Sequence, residues 1–213
     1  MPTPRATATR TRLLDAAERL FAEHGFAATS LRTVTEAADA NVAAVNYHFG
    51  SKEGLLRAVV ERAMATVNRE RLRLLGELRA AARPPSAADL VHAFVATGAH
   101  LGDPQEAGGA DLRRFLGRLV CEPDPAIRRL FGAEVAPVEG EYLGALTEAL
   151  PHLTPAEVAY RYRAMVGLLA LHQSGTLTDF HPGPPPAEPP GPDDAARLTT
   201  LLTAAFEAPA ARG

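Results

Sequence analysis

The chain has 213 residues, a formal net charge of −3, 46% hydrophobic and 22% charged residues, ordinary globular proportions that exclude a disordered, collagen-like or coiled-coil protein. A single cysteine, Cys121, excludes an internal disulfide and a cysteine-based zinc site. No apolar run approaches the roughly 18 residues needed to span a bilayer and Met1-Pro2-Thr3-Pro4-Arg5 leads into no apolar signal segment, so a cytoplasmic protein without a membrane partner is expected.

Every convincing apolar period along the chain is helical. Leu13, Ala17, Leu20 and Phe21 form one stripe, stopped by Gly25. Thr29-Ser30 offers a cap for a short helix through Leu31, Val34, Ala37 and Ala38. After a break at Asp39-Ala40, Asn41 caps a third helix from Val42 to about Phe49. Gly50-Ser51 ends it and starts a long fourth helix running toward Arg79. Ser86 with Asp89 three residues on is a capping-box start; the helix it opens carries Leu90, Phe94, Val95 and Leu101, and residues 102–110 read as a loop. Leu112, Phe115, Leu116, Leu119 and Val120 make another helix face, on which Cys121 reads as a buried, inert core residue. Asp124-Pro125 starts the next helix, which Pro137 is expected to break or kink. Thr154-Pro155-Ala156-Glu157 opens a helix, apolar around most of its circumference, reaching Leu171. Seven prolines in residues 182–192 make an extended connector, and a last helix over 194–206 ends before Pro209. Nothing alternates at period two, so the fold class is all-α.

Residues 30–49 have the dimensions of a helix-turn-helix, although two core helices of a bundle share that spacing. The second helix presents Val42, Ala43, Ala44, Asn46 and Tyr47. Small side chains allow close approach to base edges, and an asparagine amide can pair with adenine. The charge distribution is compatible with this: residues 1–75 carry 11 Lys and Arg against 8 Asp and Glu, the rest 11 against 17.

The stretch from Thr9 to Leu56 resembles the TetR family of bacterial transcriptional regulators. The resemblance is carried by the first helix, Gly25-Phe26 with Thr29, Arg32, Asn46-Tyr47-His48-Phe49, and Ser51-Lys52-Glu53-Gly54-Leu55. It implies two all-α parts: a helix-turn-helix DNA-binding domain over 1–56 and a larger helical ligand-binding and dimerisation domain over 57–213. One departure is Asp39-Ala40, where the family usually has Gly-Val at a positive-φ turn. The expected DNA-contacting set is Thr29, Ser30, Arg32, Asn41, Val42, Ala43, Ala44, Asn46, Tyr47, His48 and Lys52. In it Asn46 reads a base edge, Tyr47 and His48 reach phosphates by resemblance, and Lys52 meets phosphate in the first turn of the fourth helix. Glu122 to Phe131, with Ala136-Pro137-Val138 and Tyr142-Leu143, is similar to a subgroup of the family that includes fatty-acid-responsive regulators.

The remaining candidates belong to the body. Phe94, Phe115, Leu119, Phe131, Tyr142, Met165 and Leu169 are the residues expected to line a ligand cavity, with Tyr160 and Tyr162 among the other aromatics; core packing explains most of them equally well. Arg113-Arg114, Arg118 and Arg128-Arg129 are candidate anion anchors, with solvated surface the competing reading. His92, His100, His152, His172 and His181 lack metal-ligand spacing, and no catalytic constellation accompanies His48. No cofactor, metal or enzymatic activity is therefore expected. The expected protein is a homodimer through the helices around 156–171 and 194–206. It would be a repressor that binds a palindromic double-stranded operator and is released by a small apolar or amphipathic effector. The alternative is a helical small-molecule-binding protein that keeps the fold without recognising DNA.

Overall fold

The computed structural model describes residues 4–99, 109–174 and 192–210. Residues 102–108 of the loop expected over 102–110, His100, His181 and the proline connector up to residue 191 lie outside them. Among the described residues there are nine helices and no strand: α1 Pro4–Ala28, α2 Leu31–Ala37, α3 Val42–Phe49, α4 Lys52–Ala80, α5 Ala87–Ala99, α6 Gly109–Val120, α7 Pro125–Ala149, α8 Pro155–Ser174 and α9 Pro192–Glu207.

The expected caps form. Ser30 Oγ accepts from the Thr33 amide at 3.0 Å and Asn41 Oδ1 from the Ala44 amide at 2.9 Å. Ser51 Oγ accepts from Gly54 N–H and Thr154 Oγ1 from Glu157 N–H. At Ser86 the box is reciprocal: Asp89 N–H donates to Ser86 Oγ, and Ser86 N–H donates to Asp89 Oδ2. Each satisfies an amide that the first helical turn would leave without a partner. The backbone of α1 leaves helical geometry at Gly25 (φ 80°), as expected of a glycine stop.

Three expectations are corrected. Of the break or kink expected at Pro137, the break does not occur, and α7 runs on to Ala149. The carbonyl that loses its partner, on Ala133, is on the exposed side, as is the ring itself, so water can take up the missing bond. Cys121 is exposed, because α6 stops at Val120 and the cysteine falls in the turn beyond the apolar face. Helix α6 also begins at Gly109, inside the stretch expected to be loop.

The chain packs as two compact units. The first comprises residues 1–65 and 102–134. Its core sets Leu13, Ala17, Leu20 and Phe21 of α1 against Val34, Val45, Leu55 and Val59, all buried. Helix α6 lies on α1, with the Phe115 ring stacked 6.5 Å from Phe21. Arg62 ties α4 to α1 through Asp15 and Glu18, at 2.6 and 2.7 Å. The second unit comprises residues 66–101 and 135–213. Leu75, Leu90, Phe94, Tyr142, Leu146, Tyr162, Leu198 and Phe206 join one apolar core there. Arg161 on α8 is buried and holds the end of α9: its Nη1 donates to the carbonyls of Ala205, Phe206 and Ala208, and Nη2 to that of Pro209.

Candidate nucleic-acid interface

Helix α3 is anchored by one residue and offers the rest. Val45 is wholly buried, whereas Val42, Ala43, Asn46 and Tyr47 are exposed, Tyr47 at 79%. Ala44, His48 and Phe49 are half-buried at the flanks. An exposed tyrosine beside an exposed amide on a two-turn helix is costly surface for packing and useful surface for reading a groove. The helix is held at both ends, by the Asn41 cap and by Gly50 at φ 78°, whose N–H donates to Asn46 O. The Tyr47 and His48 rings meet edge-on at 4.9 Å.

The turn between α2 and α3 is tight. Asp39 adopts φ 46°, the one positive-φ residue other than glycine among the described residues. Its carbonyl accepts from Arg12 Nη2 at 3.1 Å, and Ala40 N–H closes onto Thr35 O at 2.9 Å. Aspartate is thus held in a conformation that glycine would adopt without penalty.

The expected contact residues divide by exposure. Ser30 is exposed, with its hydroxyl engaged by the cap and by Thr33 Oγ1. Arg32 is exposed and paired with Glu36 at 2.9 Å. Asn41 is exposed and spends its carbonyl oxygen on the cap, which makes no use of its amide N–H groups. Thr29 stands apart: it is 2% exposed, and its hydroxyl lies 2.8 Å from Gly25 O and 3.2 Å from Leu20 O, inside the joint after α1. Lys52, the sole lysine of the chain, is half-buried. Its Nζ donates to Phe26 O at 2.6 Å and sits 4.2 Å from the Phe26 ring centre. Burial there pushes the ammonium pKa down from its ordinary value, partly opposed by Glu53.

One participant escaped the sequence reading. Helix α1 starts at Pro4, earlier than its apolar stripe, and its first turns bring Ala6, Thr7 and Arg10 beside Tyr47 and His48 around a cleft of about 480 Å³. The Arg10 guanidinium lies 5.4 Å from the Phe49 ring centre. The signal was available, since Ala6, Arg10, Leu13 and Ala17 continue one helical face backward.

The residues expected to bind a ligand divide between the two units. Phe94, Tyr142, Met165 and Leu169 share the core of the second unit. Phe115 and Leu119 are buried in the first, and Phe131, half-buried, belongs to it too. A cleft of about 820 Å³ in the second unit is lined by Leu74, Leu78, His92, Ala93, Thr199 and Thr203 among others, and by none of the seven. Of the candidate anion anchors, Arg128 is exposed and donates to the carbonyls of Glu122 and Pro123. Among the described residues, no group of His, Cys, Asp and Glu is placed to hold a metal ion, and no helix is long and apolar enough to cross a membrane.

Comparison with known proteins agrees with this geometry. UidR of Escherichia coli, an HTH-type transcriptional regulator, is 38% identical over 64 residues; the chain spans a third of its length, and the match takes in 28% of this chain. The solved structure of SmeT, repressor of the Stenotrophomonas maltophilia multidrug efflux pump SmeDEF, superposes with a TM-score of 0.64 at 21% identity, over 94% of this chain and 89% of that one. FadR of Bacillus halodurans, a fatty acid degradation regulator, gives 0.64 at 13% identity over 97% of each chain. At these identities the likeness is one of fold. The model of the bacterial regulatory proteins of the tetR family matches residues 13–59, over the helices that present Asn46 and Tyr47. The model of the tetracyclin repressor-like C-terminal domain matches residues 92–205, more than half of the chain, and the chain therefore belongs to the TetR family.

Proposed function

We propose that this protein is a homodimeric transcriptional repressor that binds a palindromic operator and is released by a small apolar or amphipathic effector. Residues 1–56 serve as its DNA-binding part and residues 57–213 as its ligand-binding and dimerisation part. The observation that carries the reading is the outer face of α3, where Asn46 and Tyr47 project from a helix made slim by Ala43 and capped at both ends. Asn46 has the chemistry to read a base edge, while Arg10, Arg32, Tyr47 and His48 would supply phosphate-binding groups. Lys52 already donates to Phe26 O, so it reaches a phosphate only with its remaining N–H groups.

Two such helices reading a palindrome require a two-fold dimer with half-sites about 34 Å apart or a multiple of that. Helices α8 and α9 supply a face for it, since Tyr160 and Leu201 are 63% and 59% exposed. Helix α4 begins just after α3 and continues into the second unit, where Leu75 is buried. An effector with differential affinity for two positions of that helix would shift the spacing of the recognition helices.

The test is a mobility-shift assay with DNA flanking the protein's own gene, over a salt series. Specific binding with a steep salt slope is expected. Equal affinity for flanking and random DNA would overturn the regulator reading in favour of a ligand-binding protein that has lost DNA recognition. A monomer by light scattering at micromolar concentration would overturn the dimer.

A further inference from the structure

The second unit buries a cation that has no ion-pair partner among the described residues. Arg71 on α4 is 8% exposed. Its Nε donates to Thr97 Oγ1 at 3.3 Å, and its guanidinium carbon lies 3.7 Å from the centre of the Phe94 ring. Thr97 in turn donates to Phe94 O, and the Tyr142 hydroxyl donates to the carbonyl of Arg71 at 3.1 Å. The two Nη nitrogens have no hydrogen-bond partner, and no carboxylate stands within ion-pair distance, among the described residues. On the same Phe94 ring packs Tyr162, edge-on with centres 5.4 Å apart. Tyr162 is 2% exposed and its hydroxyl is buried without a partner among the described residues.

Guanidinium does not lose its proton in a protein, so Arg71 carries its charge into this core. A stacked aromatic ring recovers part of the lost hydration, but a buried charge ordinarily finds an ion partner. Burial holds the Arg71 pKa down, opposed by Tyr162, Tyr142 and Glu139, of which only Glu139 is charged near neutral pH, since burial pushes both phenols up. Glu139, half-buried on α7, has its own carboxyl pushed up by burial, with Arg71 opposing. The centre therefore has a planar fork of donors, a second orphaned donor and an apolar surround that includes Met165 and Leu169.

We infer that the second unit takes a small-molecule monocarboxylate, its carboxylate held by the Arg71 Nη nitrogens and the Tyr162 hydroxyl, its apolar body in the core that includes Phe94, Met165 and Leu169. The fork geometry fits carboxylate and phosphate alike. One cation neutralises one charge, however, and a dianionic phosphate would leave a net negative charge buried near Glu139. This rests on the reading that the second unit binds an effector, and it specifies the chemistry of that effector.

The test is calorimetric titration of the full-length chain, without DNA, using monocarboxylates from acetate to dodecanoate and benzoate, each with its matched alcohol and phosphate monoester. At least one acid is expected to bind at one site per chain, ten-fold or more tightly than its alcohol or phosphate ester. Arg71→Met should lower that affinity at least ten-fold while the unliganded protein melts no lower than wild type, since a stranded charge is replaced by an apolar chain of similar length. Tyr162→Phe should lower it several-fold. No acid binding up to millimolar concentration, equal binding of acid and alcohol, or unchanged affinity in Arg71→Met would each overturn the site. The comparison of acid with alcohol on wild-type protein needs no variant to fold. Because these titrations contain no operator, their failure leaves DNA recognition standing, and failure of the mobility shift leaves this site standing.

Discussion

Replacing Arg161 is expected to release the end of α9. Its guanidinium donates to four carbonyls at 2.7–3.1 Å and to Glu157 Oε1 at 2.8 Å, with its side chain only 9% exposed. The carbonyls of Ala205 and Phe206 belong to the last turn of α9, where the helix supplies no N–H donors of its own. A positive charge there also meets the negative end of the helix dipole. Charge-assisted bonds contribute about 1.5–3 kcal/mol each when buried. Only the bond to Phe206 O is fully buried, so water recovers part of the remainder. Arg161→Met, which keeps the apolar stem, should therefore cost about 3–5 kcal/mol. For a chain of this length that is a fall of roughly 6–20 °C in the melting transition that includes α9. Arg161→Lys should recover less than half, because three donors on one nitrogen cannot span the same carbonyls. Urea and thermal denaturation of the three proteins give the comparison. Were Arg161→Met to melt within about 2 °C of wild type, or Arg161→Lys to match it, the clamp would be no determinant of α9 docking.

Asp39→Gly should raise stability by up to about 1 kcal/mol and Asp39→Ala lower it by about as much, because only glycine adopts φ 46° without strain; an alanine variant as stable as the glycine one in urea refutes strain at this turn. Arg83 and the Ser86 cap hold the Asp89 carboxyl below its ordinary pKa. The unfolded chain therefore takes up that proton first, and the stabilisation is present above about pH 4 and fades below it. Asp89→Asn should cost about 1 kcal/mol at neutral pH and flatten the acid limb of the stability curve; parallel acid limbs would remove Asp89 from the account. Asn46→Ala should cost about 1–3 kcal/mol per half-site on the operator and little on random DNA, whereas Arg10→Ala should weaken both and reduce the salt slope by about one per half-site; the reverse pattern reassigns base reading.

What the chain's sequence determined by itself is what one turn of helix can decide. Ser30, Asn41, Ser51, Ser86 and Thr154 each satisfy an amide three residues ahead, and Gly25 and Gly50 stop helices through their own backbone freedom. Those signals act over a few residues, so the helix boundaries around Asn46 and Tyr47 were legible without tertiary structure, while the helix-turn-helix reading itself rests on the resemblance of residues 9–56 to the family. Long-range packing decided the rest. Thr29 turned inward to Leu20 and Gly25, Lys52 closed on Phe26 across 26 positions, and the Phe115 ring stacked on Phe21 of α1. Pro137 passed through α7 because the carbonyl it orphans is on the exposed side. Arg71 and Arg161 look alike in sequence. One is stranded on an aromatic ring and the other saturated by carbonyls 44 to 48 positions away. That difference depends on which helices meet, because the partners of a buried charge are supplied by distant segments whose pairing no local pattern encodes.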